Sequence, residues 1–222
     1  MSKYKIIIAS AHPDDLALGM AMRVRKYADD GAEITAITAT RGEYPDSPAG
    51  SHNEEKKSAK ILGIKNLVNL SLPCAQLSDN LFTLRSEMEK IIKKVKPDIG
   101  YSIYPDQLHV DHKILSQQSL ISYRSIPDVV YYKVSYIKGF IPNLFFFGNR
   151  RLLDIKIKAL RCFTSEIKKS GTVDVKRIKS LSKFEHHNYL HHSGVKQIEF
   201  KMRALHGSLF TELFNIERLI SF

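Results

Sequence analysis

The stretch YKIIIASAHPDDLALG, residues 4–19, indicates both the fold class and the chemistry of this chain. Its first half is an apolar run typical of a buried β-strand, and its second half turns into a helical pattern from Asp15. His12, Asp14 and Asp15 stand between the two. Adjacent carboxylates repel each other, and the end of a buried strand has no structural need for both. Their position therefore predicts a binding or catalytic role.

The rest of the chain alternates short β-rich runs with helical patterns. Strands are predicted at 3–11, 33–40, 66–72, 98–104, 128–135 and 143–147. Helices are predicted at 15–29, 52–62, 81–96 and 110–124, and beyond Gly148 at 150–169, 174–192 and 199–220. This order predicts one α/β domain over residues 1–222, with a Rossmann-like three-layer fold, a mostly parallel sheet and a helical C-terminal portion.

The bulk composition narrows the class of protein. The chain has 34 Lys and Arg against 23 Asp and Glu, a formal net charge of +11, which favours anionic partners. The basic residues are scattered, and without a basic stripe with interleaved aromatics we expect no nucleic-acid partner. Two cysteines in unrelated contexts, no run long enough to span a membrane and an N-terminal apolar segment too short for a signal peptide predict a cytoplasmic protein.

A second polar cluster, YPDQLHVDH at residues 104–112, follows the fourth predicted strand. In a Rossmann-type sheet the first and fourth strands are neighbours at the point where strand order reverses, and ligands bind outside their carboxyl ends. The two clusters should therefore face each other across one crevice. That crevice would contain His12, Asp14, Asp15, His109, Asp111 and His112.

This set of side chains is suited to a catalytic metal. Zinc binds histidine and carboxylate ligands, and a catalytic zinc has three protein ligands and an open position for water. His12 and Asp15 can converge across the strand-to-helix turn, and a histidine of the second cluster would complete the set. A neighbouring carboxylate could accept the proton of the metal-bound water. The structural alternative is that Asp14 is a helix N-cap, Asp15 a first-turn acid and the histidines exposed loop residues.

Both clusters also resemble a known family. AHPDDxxLG at 11–19 resembles the signature of the LmbE/PIG-L-like zinc-dependent N-deacetylases, and HVDH at 109–112 resembles their second motif, HxDH. TRGE at 40–43 is similar to the family's TxGE segment, and weaker matches extend the similarity over about residues 4–215. The chain departs from the family pattern in residues that concern the substrate pocket: Leu16, Met20–Met22, His52 and Glu166.

The resemblance implies a role for each clustered residue. Zinc would be bound by His12, Asp15 and His112. Asp14 would be the general base, His109 would stabilise the oxyanion or protonate the leaving amine, and Asp111 would orient a neighbouring histidine. On the loop after the second strand, two residues are expected to contact sugar or phosphate, with an exposed turn as the alternative: Arg41 and Glu43.

The implied activity is hydrolysis of the N-acetyl group of an N-acetylglucosamine-type sugar conjugate, which could be anionic. Fe²⁺ or another divalent metal is an alternative to Zn²⁺, because His and Asp ligands accept several metals. Two other functions stay open: hydrolysis of another amide, such as a thiol-sugar or lipid-linked conjugate, and a non-catalytic basic domain around a structural metal. A structural zinc site is usually closed by four ligands, often cysteines, which this set does not resemble.

Two further stretches carry weaker signals. HHNYLHH at 186–192 has histidines spaced to share a metal on a helix, but no carboxylate cluster accompanies them, which favours a polar surface helix. FIPNLFFFGNRR at 140–151 combines aromatic and basic residues. It could contact a membrane surface, although a buried strand or a subunit contact is favoured, and homo-oligomerisation stays open.

Overall fold

The predicted alternation of strands and helices is present in the computed structural model, which describes residues 4–42, 51–134, 137, 139–169, 173–192 and 210–218. These residues form the strands β1 (Lys5–Ser10), β2 (Glu33–Thr40), β3 (Asn66–Leu72), β4 (Ile99–Ile103), β5 (Asp128–Tyr132), β6 (Leu144–Gly148) and β7 (Phe210–Arg218). Their α-helices are α1 (Asp15–Asp29), α2 (Ser51–Leu62), α3 (Leu81–Val95), α4 (Val110–Ser122), α5 (Arg150–Leu160), α6 (Thr164–Lys169) and α7 (Val175–His192).

The strands form one sheet in the order β3-β2-β1-β4-β5-β7-β6. All pairs from β3 to β5 are parallel, whereas β7 is antiparallel to both β5 and β6. Strand order reverses between β1 and β4, as predicted for a Rossmann-like sheet. The predicted three-layer fold with a mostly parallel sheet is confirmed.

The core is centred on β1, where Ile6, Ile7 and Ile8 have no exposed surface. A central parallel strand is continuously apolar because helices cover both faces of the sheet. Helix α1 packs against α2 and α5, and α3 packs against α4. The burial of this strand fixes the position of its polar end, where the functional cluster begins.

Helix α1 is broken near its middle, which the sequence pattern does not predict. Met20 has non-helical backbone angles, φ −142° and ψ 23°. The preceding Gly19 packs directly on β5: a Cβ placed on it would lie 2.4 Å from a ring carbon of Tyr132. Only glycine permits this close approach of helix and sheet.

The break leaves two backbone N–H groups without an acceptor in the helix, and a carboxylate of β7 accepts hydrogen bonds from both. Met22 N and Arg23 N donate to Oε1 and Oε2 of Glu212 over 3.0 and 2.8 Å. The buried Lys156 of α5 donates its Nζ to Oε1 over 2.8 Å. Glu212 thus joins α1, α5 and the sheet.

The predicted helix at 199–220 is wrong for residues 210–218, which form β7. The first five residues of β7, from Phe210 to Phe214, are buried, and the strand lies between β5 and β6 in the sheet. The apolar spacing that favoured a helix is outweighed by pairing with two strands, which only the tertiary structure supplies. The remainder of the predicted helix lies outside the described residues.

The predicted helix at 150–169 is two helices, α5 and α6. The chain turns at the buried Phe163, and the N-terminus of α6 is bound by Glu54 of α2. Thr164 Oγ1 and Ser165 N donate to Glu54 Oε1 over 2.7 and 3.1 Å, and Ser165 Oγ donates to Oε2 over 2.5 Å. A side chain distant in sequence therefore starts the second helix.

The aromatic stretch at 140–151 contributes β6, which pairs with β7. Of the favoured interpretation, a buried strand or a subunit contact, the strand is confirmed, but Leu144–Phe147 are half-buried and only Gly148 is buried. Contact with a membrane or a second subunit stays untested. Among the helices of the described residues, none is long and apolar enough to cross a membrane.

Candidate active site

The two polar clusters lie together at the carboxyl ends of β1 and β4. The first follows Ser10 and leads into α1, and the second follows Ile103 and leads into α4. Because these strands are neighbours in the sheet, side chains about 100 residues apart meet: His12 Nδ1 and His112 Nε2 are 3.0 Å apart. The two clusters therefore meet at the reversal point of the sheet, as predicted.

Three side chains, those of His12, Asp15 and His112, form a compact triangle of possible metal-ligand atoms. His12 Nδ1 lies 3.0 Å from His112 Nε2, Asp15 Oδ1 lies 3.1 Å from His112 Nε2, and Asp15 Oδ2 lies 3.6 Å from His12 Nδ1. Ligands about 2.1 Å from a tetrahedral zinc are about 3.4 Å from one another. The type and spacing of these donors therefore fit a divalent metal ion.

Asp15 is held in place by the turn between β1 and α1. The backbone N–H groups of Ala11 and His12 donate to Oδ2 over 3.1 and 2.8 Å. Burial by itself would raise the pKa of Asp15, but His112 and His12 outweigh burial and hold that pKa well below its usual range. Asp15 is therefore an ionised carboxylate, as a metal ligand must be.

Each histidine of the triangle has its second ring nitrogen engaged. His12 Nε2 lies 3.2 Å from Asp111 Oδ2, and His112 Nδ1 lies 3.3 Å from Gln107 Oε1. Burial by itself would lower the pKa of His12, but Asp111 and Asp15 outweigh burial and raise that pKa well above its usual value, so metal binding must displace a proton from inside the triangle while the outer nitrogens donate. Such partners fix the tautomer and orientation of metal-binding histidines. Asp111 thus contacts His12, and the orienting role that the resemblance implies for it stays a prediction.

Asp111 is fully buried and is held by the loop between β3 and α3. Ala75 N donates to its Oδ2 over 2.7 Å and Leu77 N to its Oδ1 over 3.3 Å. Ala75 has a left-handed backbone, φ +62°, which non-glycine residues rarely adopt. Neither this loop nor Gln107 is predictable from the sequence, because residue types alone do not encode the backbone angle of Ala75 or the direction of the Gln107 contact.

Asp14 differs from the other carboxylates of the site. It occupies the N-cap position of α1, but its side chain makes no capping hydrogen bond. Burial first, and then the negative charge of Asp15, raise the pKa of Asp14 to about 7. A carboxyl group that exchanges its proton near neutral pH is suited to general acid–base chemistry.

His109 caps α4 and completes the cluster. Its Nδ1 accepts a hydrogen bond from Asp111 N over 3.2 Å, and its ring centroid lies 4.7 Å from that of His12 and 4.8 Å from that of His112. Burial, followed by the neighbouring His12 and His112, lowers the pKa of His109 to about 4. The ring is neutral at pH 7, with its proton on Nε2.

Comparison with known proteins identifies the family. A family model described as PIG-L: GlcNAc-PI de-N-acetylase matches residues 7–120, which include both clusters. The chain belongs to the PIG-L family. The predicted resemblance is confirmed.

Relatives of this PIG-L family member are named as deacetylases. It is 29% identical over 163 residues to the "Uncharacterized deacetylase YaiS" of Escherichia coli K12, covering 70% of this chain and 88% of that protein. It is also 29% identical over 123 residues to the diacetylchitobiose deacetylase of Thermococcus kodakarensis, covering 49% of this chain and 45% of that protein. These similarities support a deacetylase family.

The fold is shared with a solved structure of low sequence identity. The conserved protein TT1542 from Thermus thermophilus superposes with a TM-score of 0.76 at 18% identity, covering 98% of this chain and 96% of that one. The similarity therefore includes the C-terminal half of this PIG-L family member, beyond the residues that the family model matches.

The remaining predicted residues lie outside the triangle. Arg41 is exposed directly after β2, at the same edge of the sheet as the cluster, whereas Glu43 lies outside the described residues. A sugar- or phosphate-binding role for both stays a prediction. The histidine-rich stretch at 186–192 ends α7, but its side chains are not among those described.

Proposed function

We propose that this chain is a metal-dependent N-deacetylase that hydrolyses the N-acetyl group of an N-acetylglucosamine-type sugar conjugate. The observation that carries the proposal is the triangle of His12, Asp15 and His112 beside the buried carboxyl group of Asp14. Membership of the PIG-L family and similarity to a diacetylchitobiose deacetylase support the N-acetylated sugar.

The three triangle residues hold the metal ion in this proposal. When bound, Zn²⁺, or Fe²⁺ as the alternative, supplies Lewis-acid activation of a water molecule and of the amide carbonyl. Asp111 and Gln107 contact the outer ring nitrogens of His12 and His112 and would leave the inner nitrogens to hold the ion. Three protein ligands leave coordination positions open, which favours catalysis over a structural role.

Asp14 and His109 handle the protons and the developing charge. Asp14 accepts a proton as the attacking water adds its oxygen to the acetyl carbon. His109 donates a hydrogen bond from Nε2 to the former carbonyl oxygen, which gains negative charge. Asp14 then returns the proton to the nitrogen as the C–N bond breaks, so that the products are acetate and a free amine.

The substrate and compartment belong to the same proposal. Arg41 and Glu43 come after β2 in the sequence and are proposed to contact the sugar or a phosphate of its conjugate, and the net charge of +11 favours an anionic conjugate. Cys74 and Cys162 are both free, which agrees with a reducing cytoplasm.

The test combines metal analysis with an acetate-release screen. Purified protein is expected to contain about one divalent metal per chain, as a site with three protein ligands does. It should release acetate from at least one of diacetylchitobiose and GlcNAc in free, nucleotide-linked, inositol-linked, lipid-linked or thiol-conjugated form. His112→Ala should lose both metal and activity, whereas Lys113→Ala, an exposed neighbour on α4, should keep both. Absence of both metal and acetate release in the wild-type protein would contradict the proposal.

A further inference from the structure

Cys74 lies next to the metal triangle, but on the other side of the His12 ring. Its Sγ is 3.7 Å from Asp111 Oδ2, which in turn is 3.2 Å from His12 Nε2. The ligand atoms of these three residues all lie within 4.8 Å of one another. His12 therefore presents Nδ1 to one group of donors and Nε2 to another.

The second group has the dimensions of a coordination site. Zinc binds imidazole nitrogen and carboxylate oxygen at about 2.0–2.2 Å and thiolate sulfur at about 2.3 Å, which separates tetrahedral ligands by about 3.3–3.6 Å. The two distances to Asp111 Oδ2, 3.2 and 3.7 Å, bracket that range. A thiolate ligand makes the site selective for thiophilic ions such as Zn²⁺ and Cd²⁺.

We propose that His12 Nε2, Cys74 Sγ and Asp111 Oδ2 form a second metal site, for a thiophilic divalent ion, that shares His12 with the first site. Binding releases two protons, one from the Cys74 thiol and one from His12 Nε2, and replaces the hydrogen bond between His12 and Asp111 with two metal–ligand bonds. Two divalent ions carry four positive charges, and they face four negative ligands: Asp15, Asp111, the Cys74 thiolate and the His12 imidazolate. The filled pair of sites is therefore electrically neutral, as a buried cluster requires.

The second ion acts on the reaction through the shared histidine. It removes the Asp111 hydrogen bond that orients His12, and it withdraws electron density from the ring that binds the first ion. We therefore expect thiophilic metal in excess of one equivalent to inhibit turnover. This consequence, unlike the site itself, rests on the proposed function.

The binding test uses the two cysteines as a matched pair. Metal-loaded wild-type protein is titrated with Cd²⁺, and bound cadmium, released protons and the ultraviolet thiolate-to-cadmium absorption are followed. Wild type and Cys162→Ser should take up one further ion with this absorption, because Cys162 Sγ contacts Lys158 O on α5, away from the cluster. Cys74→Ser keeps a small donor beside Asp111 but loses the soft ligand, so it should show neither.

The inhibition test measures acetate release at increasing Cd²⁺ concentration, and each variant's rate is divided by its own rate with one equivalent of metal. Cys74→Ser should need about 10–100-fold more Cd²⁺ than wild type for half-inhibition, and Cys162→Ser should match wild type. Thermal unfolding of the metal-free variants checks that they are folded. If Cys74→Ser is destabilised, Cys74→Ala is used in its place. A second cadmium without thiolate absorption, or equal cadmium uptake by Cys74→Ser, would overturn the second site.

The two proposals can fail separately. If the protein shows the thiolate-to-cadmium absorption but deacetylates no substrate, the second site is supported and the proposed function is contradicted. Deacetylation by a protein that lacks the absorption does the reverse.

Discussion

Two buried carboxyl groups contact helix α1 in opposite environments: Glu212 of β7, which binds the break in the helix, and Asp14, which precedes its first residue. Glu212 is 2% exposed and accepts hydrogen bonds from Met22 N, Arg23 N and Lys156 Nζ. Asp14 is 8% exposed, and its carboxyl group accepts none from any other residue in the described part of the chain. One carboxylate is surrounded by donors, and the other has almost none.

The difference separates a structural carboxylate from a reactive one. Hydrogen bonds and a counter-ion stabilise the charged form, whereas burial alone destabilises it. Glu212 is thus committed to the fold, whereas the raised pKa of Asp14 keeps its proton exchangeable. Replacing each carboxyl group by its amide tests this difference, since size and shape barely change.

The largest expected effect is on catalysis by Asp14→Asn. The amide cannot accept a proton from water, so we expect acetate release to fall by about 10²–10⁴-fold. Bound metal should stay near one equivalent, because Asp14 is outside the triangle, and elemental analysis beside the rate assay checks both. Wild-type turnover in this variant would remove Asp14 from the mechanism.

The next effect is on stability, from Glu212→Gln. The change leaves Lys156 buried without its counter-ion, which costs about 3–5 kcal/mol of unfolding free energy. Chemical denaturation measures the loss. The double variant Glu212→Gln with Lys156→Met should recover part of it, and a single-variant loss below about 1 kcal/mol would mean that the pair contributes little.

In metal-free protein, Asp14→Asn should raise the free energy of unfolding, whereas Glu212→Gln lowers it. Folded Asp14 holds its proton up to a pKa of about 7, against an ordinary value of 3.8, so unfolding releases a proton between these pH values. Wild-type stability therefore decreases as pH rises through this window. The variant should be more stable above pH 7, by about 0.5–2 kcal/mol, and equal to wild type below about pH 4. Denaturation at pH 4 and 8 tests the sign, and a destabilised variant at pH 8 would contradict it.

Glu54→Gln should give the smallest effect, about 1 kcal/mol. Burial would raise the pKa of Glu54, but hydrogen bonds from Ser165 and Thr164 outweigh burial and lower it. The stabilisation is therefore present above the unfolded pKa and is lost as pH falls through the lower folded value. Unfolding midpoints of wild type and variant should converge in acid, and a constant difference would assign the effect to packing.

The parallel half of the fold was predictable because its signals are local. The strands predicted at 33–40 and 66–72 have the same bounds as β2 and β3, and the strand pattern of β1 follows from its three isoleucines. The C-terminal strand β7 was missed because its partners, β5 and β6, are distant in sequence. The break in α1 was missed for a similar reason, since the contact of Gly19 with Tyr132 exists only after the sheet has formed.

The candidate site was predictable to the extent that topology places it. Strand order brings the cluster after β1 against the cluster after β4, so His12 and His112 meet. The contacts that orient them were not predictable. Gln107 and the loop around Ala75 act through backbone geometry and hydrogen-bond direction, which residue types alone do not encode.

The bonds between α1 and Glu212 join residues 190 positions apart, and this separation has a consequence for biosynthesis. At ribosomal rates of about 5–20 residues per second, α1 leaves the ribosome roughly 10–40 s before Glu212 does. During that interval the backbone N–H groups of Met22 and Arg23 cannot donate hydrogen bonds to Glu212. The growing chain therefore acquires the final shape of the helix behind Asp14 only after Glu212 has been synthesised and has left the ribosome.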